Sequence, residues 1–119
     1  MTKTTKAAPT PVCVCLMPSD LEKLDKIDEH GLIGSHSRAA RIAVYCWHNF
    51  IQGNPSIRAK RKPPEFAERV SPQTGGKTTK FYFDELDLAR LERLKTWTGE
   101  KVVGRLIRAA IAWNAARLG

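Results

Sequence analysis

The chain has 119 residues, 42% of them hydrophobic and 27% charged, and this apolar content excludes an intrinsically disordered protein. Twenty Lys and Arg against twelve Asp and Glu give a net charge of +8, which suits nucleic acid, although an acidic membrane or protein fits the charge equally well. No apolar run reaches the roughly 20 residues that span a bilayer, and three cysteines indicate free thiols, so we predict a cytoplasmic protein.

Residues 1–10 are predicted to form a flexible arm, and residues 11–52 a strand followed by two helices. The strand has alternating apolar residues, as expected when one face is buried: Val12, Val14 and Leu16. After Leu16 the apolar residues no longer alternate but recur at the spacing of one face of a helix. Pro18 suits the first turn of this helix and Gly31 its end, and Ser35 is a good N-cap for the next helix. The buried side of that second helix is predicted to carry Ala40, Ala43, Val44 and Trp47.

Residues 53–77 are predicted to be a linker. They are rich in Pro, Gly and basic groups and show no sustained apolar period. Residues 78–119 then repeat the order strand, helix, helix. Phe81 and Phe83 mark the strand, Asp84 with Asp87 provides an N-cap and an acidic first turn, and Gly99 provides a stop. The last helix carries Ile107, Ala110, Ile111 and Trp113.

The two halves of the chain repeat each other at an offset of 67 residues. Six identities keep this register without a gap: Asp20/Asp87, Leu21/Leu88, Leu24/Leu91, Arg38/Arg105, Arg41/Arg108 and Ala43/Ala110. A lone strand with two short helices can neither pair its backbone nor bury its apolar face. We therefore predict a mainly α fold, in which the two strands form an antiparallel two-stranded ribbon and four helices pack behind it as a single-chain pseudo-dimer.

The leucine row after each strand, the glycine at 31 and the segment SHSRAARIAV at 35–44 resemble the ribbon-helix-helix (Arc/MetJ/CopG-like) family of DNA-binding proteins. The first copy resembles it over about 35 residues, whereas the second lacks the Ser-x-Ser start of its last helix. The tandem form is similar to plasmid-transfer proteins, including TraY-type relaxosome proteins and those that bind the transfer enhancer beside T-DNA borders. This resemblance implies double-stranded DNA as partner, together with the relaxase and other DNA-transfer proteins, and no membrane.

In this family the outward residues of the ribbon read bases. The candidates here are Cys13 and Cys15 with Pro11 on the first strand, and Thr78, Lys80 and Tyr82 on the second. Lys80 can donate to guanine O6 and N7, and Tyr82 offers an apolar ring with a hydroxyl. Thiols are weak hydrogen-bonding groups, so the first strand departs from the family pattern. An ordinary solvated strand face is the alternative interpretation of Lys80 and Tyr82.

The family also binds phosphates at the start of each second helix, where free N–H groups and the helix dipole attract anions. The implied residues are Ser35, His36, Ser37 and Arg38 in the first copy, and Thr98, Gly99, Glu100, Lys101 and Arg105 in the second. Basic residues in the linker and arm can add salt-sensitive, sequence-independent affinity: Arg58, Lys60, Arg61 and Lys62, with Lys3 and Lys6.

Several polar residues are predicted to serve structure alone. Arg41 and Arg108 lie mid-helix, where ion pairs with a neighbouring helix are favoured over DNA contact. Cys46 and His48 lie two apart on a helix and point about 200° apart, so we predict no metal site with Cys13 and Cys15. The chain shows no catalytic constellation, and we predict neither enzyme activity nor a cofactor.

We therefore expect an accessory protein of plasmid or T-DNA transfer that binds duplex DNA as a monomer or weak oligomer. A transcriptional repressor of the same fold is the first alternative. A protein-interaction module, similar to an antitoxin, is the second, with Cys13, Cys15 and Tyr82 as an apolar docking face.

Overall fold

The computed structural model describes residues 9–31, 34–60 and 75–118. Within these residues the fold is mainly helical (71%) with a two-stranded antiparallel sheet. The described elements, in chain order, are β1 (Thr10–Leu16), α1 (Pro18–Gly31), α2 (His36–Gln52), α3 (Pro55–Lys60), β2 (Lys77–Phe83), α4 (Glu85–Thr98) and α5 (Val103–Leu118). The predicted order of strand, helix, helix is therefore present in both halves.

Strands β1 and β2 pair along their whole length and form the ribbon. Cys13 lies opposite Lys80 at its centre, and the pairs on either side are Val12 with Phe81 and Val14 with Thr79. Because Cys13 and Lys80 are 67 residues apart, the ribbon joins positions that the sequence repeat makes equivalent. The alternating apolar residues lie on the inner face as predicted, and Val14, Leu16, Phe81 and Phe83 are buried.

The helix boundaries follow from their capping residues. The Ser35 hydroxyl accepts a hydrogen bond from the Arg38 N–H at the start of α2. Asp84 and Asp87 form a reciprocal capping box at the start of α4, each carboxylate accepting the other's backbone N–H. Gly99 ends α4 with a left-handed φ of 77°, a conformation that favours glycine. These caps confirm the predicted helix starts at Ser35 and Asp84 and the stop at Gly99.

The hydrophobic core lies between the inner face of the ribbon and the helices. Helices α2 and α5 pack against each other at its centre, while α1 packs on α5 and α4 packs on α2. The predicted helix faces supply the core residues: Ala40, Ala43, Val44 and Trp47 from α2, and Ile107, Ala110 and Ile111 from α5. Leucines from α1 and α4 complete it, with Leu24, Leu91 and Leu94 fully or almost fully buried.

Among the ion pairs that connect the two halves, two occupy equivalent positions of the repeat. Arg108 Nε donates to Asp20 Oδ2 at 2.8 Å, and both side chains are buried. Arg41 Nε donates to Asp87 Oδ2 at 2.6 Å. Both arginines and both aspartates are related by the offset of 67, so the two bonds are reciprocal. The predicted structural role of Arg41 and Arg108 is confirmed.

The first part of the predicted linker is helical. Pro55 fits the first turn of α3, and the N–H groups of Ile57 and Arg58 donate to the Asn54 carbonyl. The Arg58 guanidinium lies 5.8 Å from the centre of the Trp97 ring, so α3 packs against the end of α4. A six-residue helix is too short to show a period, which explains why the sequence pattern did not indicate it.

Candidate nucleic-acid interface

The outer face of the ribbon collects the residues predicted to read bases. Antiparallel partners project to the same side, and the register pairs Cys13 with Lys80, Cys15 with Thr78 and Pro11 with Tyr82. All are exposed except Cys15, which is half-buried, and Tyr82 is 48% exposed. We call this surface the ribbon face: Pro11, Cys13, Cys15, Thr78, Lys80 and Tyr82.

The start of α2 is attached directly to the ribbon. Ser37 Oγ accepts the backbone N–H of Tyr82 at 2.8 Å, which fixes the ribbon edge against the first turn of α2. Ser35 caps the helix, and Arg38 in the same turn is exposed. The first-turn N–H groups of α2 therefore lie beside the ribbon face, where an anion that touches the ribbon can also reach them.

His36 has a protein partner. Its Nε2 lies 2.6 Å from Asp25 Oδ1, and both side chains are largely exposed. The contact joins the start of α2 to α1, so a phosphate at this position has to compete with the Asp25 carboxylate.

The second predicted phosphate site is arranged differently, because α5 begins at Val103. Thr98 is buried at the end of α4, where its hydroxyl donates to the Leu94 carbonyl at 2.7 Å, and Gly99 is the C-cap of the same helix. These two residues end one helix and do not lie in the first turn of the next. Lys101 is exposed in the connection between α4 and α5.

An internal carboxylate already lies at the start of α5. Glu100 Oε2 accepts the Val102 N–H at 3.1 Å, and Arg105 Nε donates to Glu100 Oε1 at 2.5 Å. Partial burial opposes ionisation of Glu100, yet the Val102 N–H and the Arg105 guanidinium outweigh it and lower the pKa of this carboxyl. The Glu100 carboxylate thus binds a free N–H at the helix start and the Arg105 guanidinium, the two kinds of group that would otherwise attract a phosphate.

The two sides of the ribbon also differ at one repeat position. Ser37 in α2 corresponds to Gly104 in α5, which has no side chain to reach the ribbon. A Cβ at Gly104 would lie 3.5 Å from Val14 Cγ1. An open cavity of about 380 Å³ lies here, between the β1 side of the ribbon face and the start of α5. Its lining includes Cys13, Cys15, Val102, Gly104 and Arg105.

A basic cleft between α2 and α4 was not predicted from the sequence. Arg38, Arg41 and Arg90 line it together with Tyr45. The Arg90 guanidinium lies 4.7 Å from the centre of the Tyr45 ring and donates to Asp87, which also binds Arg41. The sequence repeat did indicate that a basic residue recurs at the position of Arg90, because the offset of 67 pairs it with Lys23.

Two basic residues of the predicted linker, Arg58 and Lys60, lie away from the ribbon face. Arg58 and Lys60 belong to α3, which packs at the far end of α2, and 17 helical residues extend about 25 Å. Arg61 and Lys62, like Lys3 and Lys6, lie outside the described residues. The structure therefore brings together the ribbon face and the start of α2, but not Arg58 or Lys60.

No helix in the described ranges is long and apolar enough to cross a membrane. Across the same part of the chain, no three His, Cys, Asp or Glu side chains cluster as a metal site would require. Comparison with models of known protein families, with curated proteins and with solved structures found no match to this chain.

Proposed function

We propose that the chain is a tandem ribbon-helix-helix protein that binds double-stranded DNA through its ribbon face. The observation that carries the proposal is the paired ribbon itself, which presents Lys80 and Tyr82 outward while the start of α2 is attached to its edge. A two-stranded ribbon fits the DNA major groove, and a helix start beside it suits a flanking phosphate.

Two observations support the pseudo-dimer. The strand register places Cys13 directly opposite Lys80, as a twofold relation between copies 67 residues apart requires. The ion pairs Arg108 with Asp20 and Arg41 with Asp87 are exchanged between the copies in the same way. An unrelated pairing of two strands would not reproduce both relations, so they favour two equivalent units within one chain.

The ribbon face has the chemistry of a base reader on one strand and only part of it on the other. Lys80 carries a flexible cation that can donate to guanine O6 and N7, and the Tyr82 ring can contact a thymine methyl group. Cys13 and Cys15 offer shape and apolar contact. We infer that β2 contributes most of the base discrimination and that the preferred site is asymmetric.

The biological role that we propose is that of an accessory factor in plasmid or T-DNA transfer, which binds DNA near a transfer origin or border and acts with a relaxase. This role rests on the resemblance of the tandem repeat to plasmid-transfer proteins. A preference for an operator at the gene's own promoter over transfer-region DNA would instead identify a repressor.

The test is duplex-DNA affinity as a function of salt, for transfer-region and random duplexes. We expect a steep loss of affinity as salt rises, because bound phosphates release counterions, and a preference for transfer-region DNA. Lys80→Ala with Tyr82→Ala should abolish the preference and weaken specific binding about tenfold or more, as loss of a base contact does. Lys95→Ala is the matched control, because it removes one cation near the end of α4, away from the ribbon.

Two results would contradict the proposal. One is full affinity and preference in the double variant, which would exclude the ribbon face as the reader. The other is absence of duplex binding at moderate salt combined with tight binding to a protein, which would favour an interaction module.

A further inference from the structure

Two grooves lie at equivalent places of the sequence repeat. The first, with a volume of about 260 Å³, lies between α2 and the end of α4. These two helices line it with Trp47, Phe50, Ile51, Trp97 and Thr98. The second, with a volume of about 380 Å³, lies between α5 and the end of α1. The offset of 67 converts the five residues of the first groove into five that line the second: Asn114, Arg117, Leu118, His30 and Gly31.

Helix α3 forms one wall of the first groove, which we call the covered groove. Ile57 and Lys60 of α3 complete its lining, and the Arg58 guanidinium lies 5.8 Å from the centre of the Trp97 ring. No helix in the described part of the chain has the corresponding place at the second groove, which we call the uncovered groove. The chain itself therefore shows that a groove of this kind accepts a short helix with an apolar side chain.

Apolar side chains form much of the uncovered groove. Ile27 is buried, Cys46 and Leu118 are half-buried, and Ile42 is 38% exposed. A helix packed against them would remove the remaining apolar surface from water, which favours binding.

The charges of the two grooves differ. Trp97 and Phe50 of the covered groove correspond to His30 and Arg117 of the uncovered groove, and both of the latter are exposed. The Arg117 guanidinium lies 4.5 Å from the centre of the Trp113 ring, and no Asp or Glu is among the described residues that line the groove. The covered groove thus offers aromatic rings to the basic helix α3, whereas the uncovered groove offers a cation that attracts carboxylates.

We propose that the uncovered groove binds an acidic amphipathic helix of a partner protein, which packs apolar side chains against Ile42 and Leu118 and places carboxylates beside Arg117. A second copy of this chain is a poorer occupant, because its α3 is basic and is already packed on its own covered groove. None of the described residues that line the uncovered groove belongs to the ribbon face or to the first turn of α2, so the proposal does not depend on DNA binding.

The experiment titrates the isotope-labelled full chain with two synthetic peptides of about 16 residues, a length at which a helix can form in part. One peptide has Leu and Ile on one face and Glu on the other, and the matched peptide has Lys in place of Glu. We expect the Glu peptide to shift the amide resonances of Ile42, Cys46 and Leu118 to saturation. It should bind about tenfold more tightly than the Lys peptide, because like charges oppose the latter.

Three variants separate the groove from a general attraction of acidic peptides to a basic protein. Ile42→Ser removes an exposed apolar contact and should weaken binding of the Glu peptide about tenfold. Arg117→Glu should reverse the preference, so that the Lys peptide binds more tightly. Lys95→Glu is the matched control, because it makes the same change of charge near the end of α4 and should retain the wild-type preference. Circular dichroism checks that each variant is folded.

Four results would overturn the proposal. They are the absence of saturable shifts, shifts confined to the covered groove or the ribbon face, an unchanged preference in Arg117→Glu, and a dimer by light scattering that Ile42→Ser abolishes. The last result would identify a second copy as the occupant. Duplex affinity of Ile42→Ser should equal that of the wild type, so a failure of duplex binding and a failure of peptide binding are observed separately.

Discussion

The bond between Asp20 and Arg108 is the most deeply buried ion pair among the described residues, with side chains 3% and 4% exposed. Removing one partner leaves the other charge buried, which costs about 3–5 kcal/mol in proteins generally. We therefore expect Asp20→Ala to lower the free energy of unfolding by about 3 kcal/mol or more, measured by urea denaturation. Asp25→Ala is the matched control, because the Asp25 to His36 contact is largely exposed and should contribute about 1 kcal/mol or less.

Replacing both partners distinguishes a specific ion pair from a general need for polar groups. Asp20→Leu combined with Arg108→Met should recover most of the lost stability, since a buried pair can be exchanged for apolar residues at little cost. A double variant as unstable as Asp20→Ala would show that Asp20 or Arg108 also contributes through other contacts, of which the acceptance of the Met17 N–H by Asp20 at 2.9 Å is one.

At the scale of single elements, the start of α4 depends on its capping box. Asp84→Ala removes the acceptor for the Asp87 N–H and should cost about 1 kcal/mol in thermal or urea denaturation. Asp84→Asn keeps an acceptor and should cost much less. The Asp87 N–H, followed by other hydrogen bonds and Arg41, lowers the pKa of Asp84 despite an opposing effect of burial. The contribution of its charge is therefore present above about pH 4 and is lost as pH falls through the lowered pKa.

The junction of α2 with α4 contains a buried histidine. His48 packs on Trp97 with ring centres 5.0 Å apart, while its Nδ1 lies 2.9 Å from Asn49 Oδ1 and its Nε2 lies 3.3 Å from Arg93 Nη1. This arrangement fits the neutral ring, with Nδ1–H donating and Nε2 accepting from Arg93. Burial is the main cause that lowers the pKa of His48, and the nearby charges of Arg93 and Arg90 add to it, whereas the bond to Asn49 opposes it.

The pH dependence follows from the direction of this shift. The unfolded chain binds a proton at His48 below about pH 6.5 and the folded chain does so only at lower pH, so the free energy of unfolding should fall as pH drops below 6.5. In His48→Phe this decrease should be smaller, whatever the absolute stability, while His30→Asn should retain it. The free energy of unfolding is measured by urea denaturation at pH 7 and at pH 5. If it falls as much in His48→Phe as in the wild type, His48 is not responsible for the decrease.

At the scale of the whole molecule, one chain supplies both strands of the ribbon and all the helices that pack behind it. We therefore expect a monomer of 13.3 kDa by light scattering at micromolar concentration. An obligate dimer would mean that the strands pair between chains, in the manner of a domain swap. Asp20→Ala should not convert the protein into a dimer unless it first unfolds the shared core.

Spacing and capping residues predicted the order strand, helix, helix in each half, the faces that these elements bury and the repeat, whereas α3 was not predicted. Period-two and helical spacing report directly on which side chains are removed from water. Ser35 and Asp84 begin their helices, and Gly99 ends α4, through bonds to residues three or four positions away. The repeated positions of Asp20 and Asp87, and of Arg41 and Arg108, also indicated that these side chains act together, although not which aspartate each arginine binds.

Which groups meet across the chain depends on tertiary packing. The bond from Tyr82 to Ser37, the bond from Arg105 to Glu100 and the cavity beside Cys13 each depend on residues that are distant in sequence or on the exact start of α5. That start lies at Val103, so Thr98 and Gly99, which the resemblance assigned to it, instead belong to the end of α4. Local patterns record burial and capping, whereas the composition of a surface depends on how the two halves are packed together.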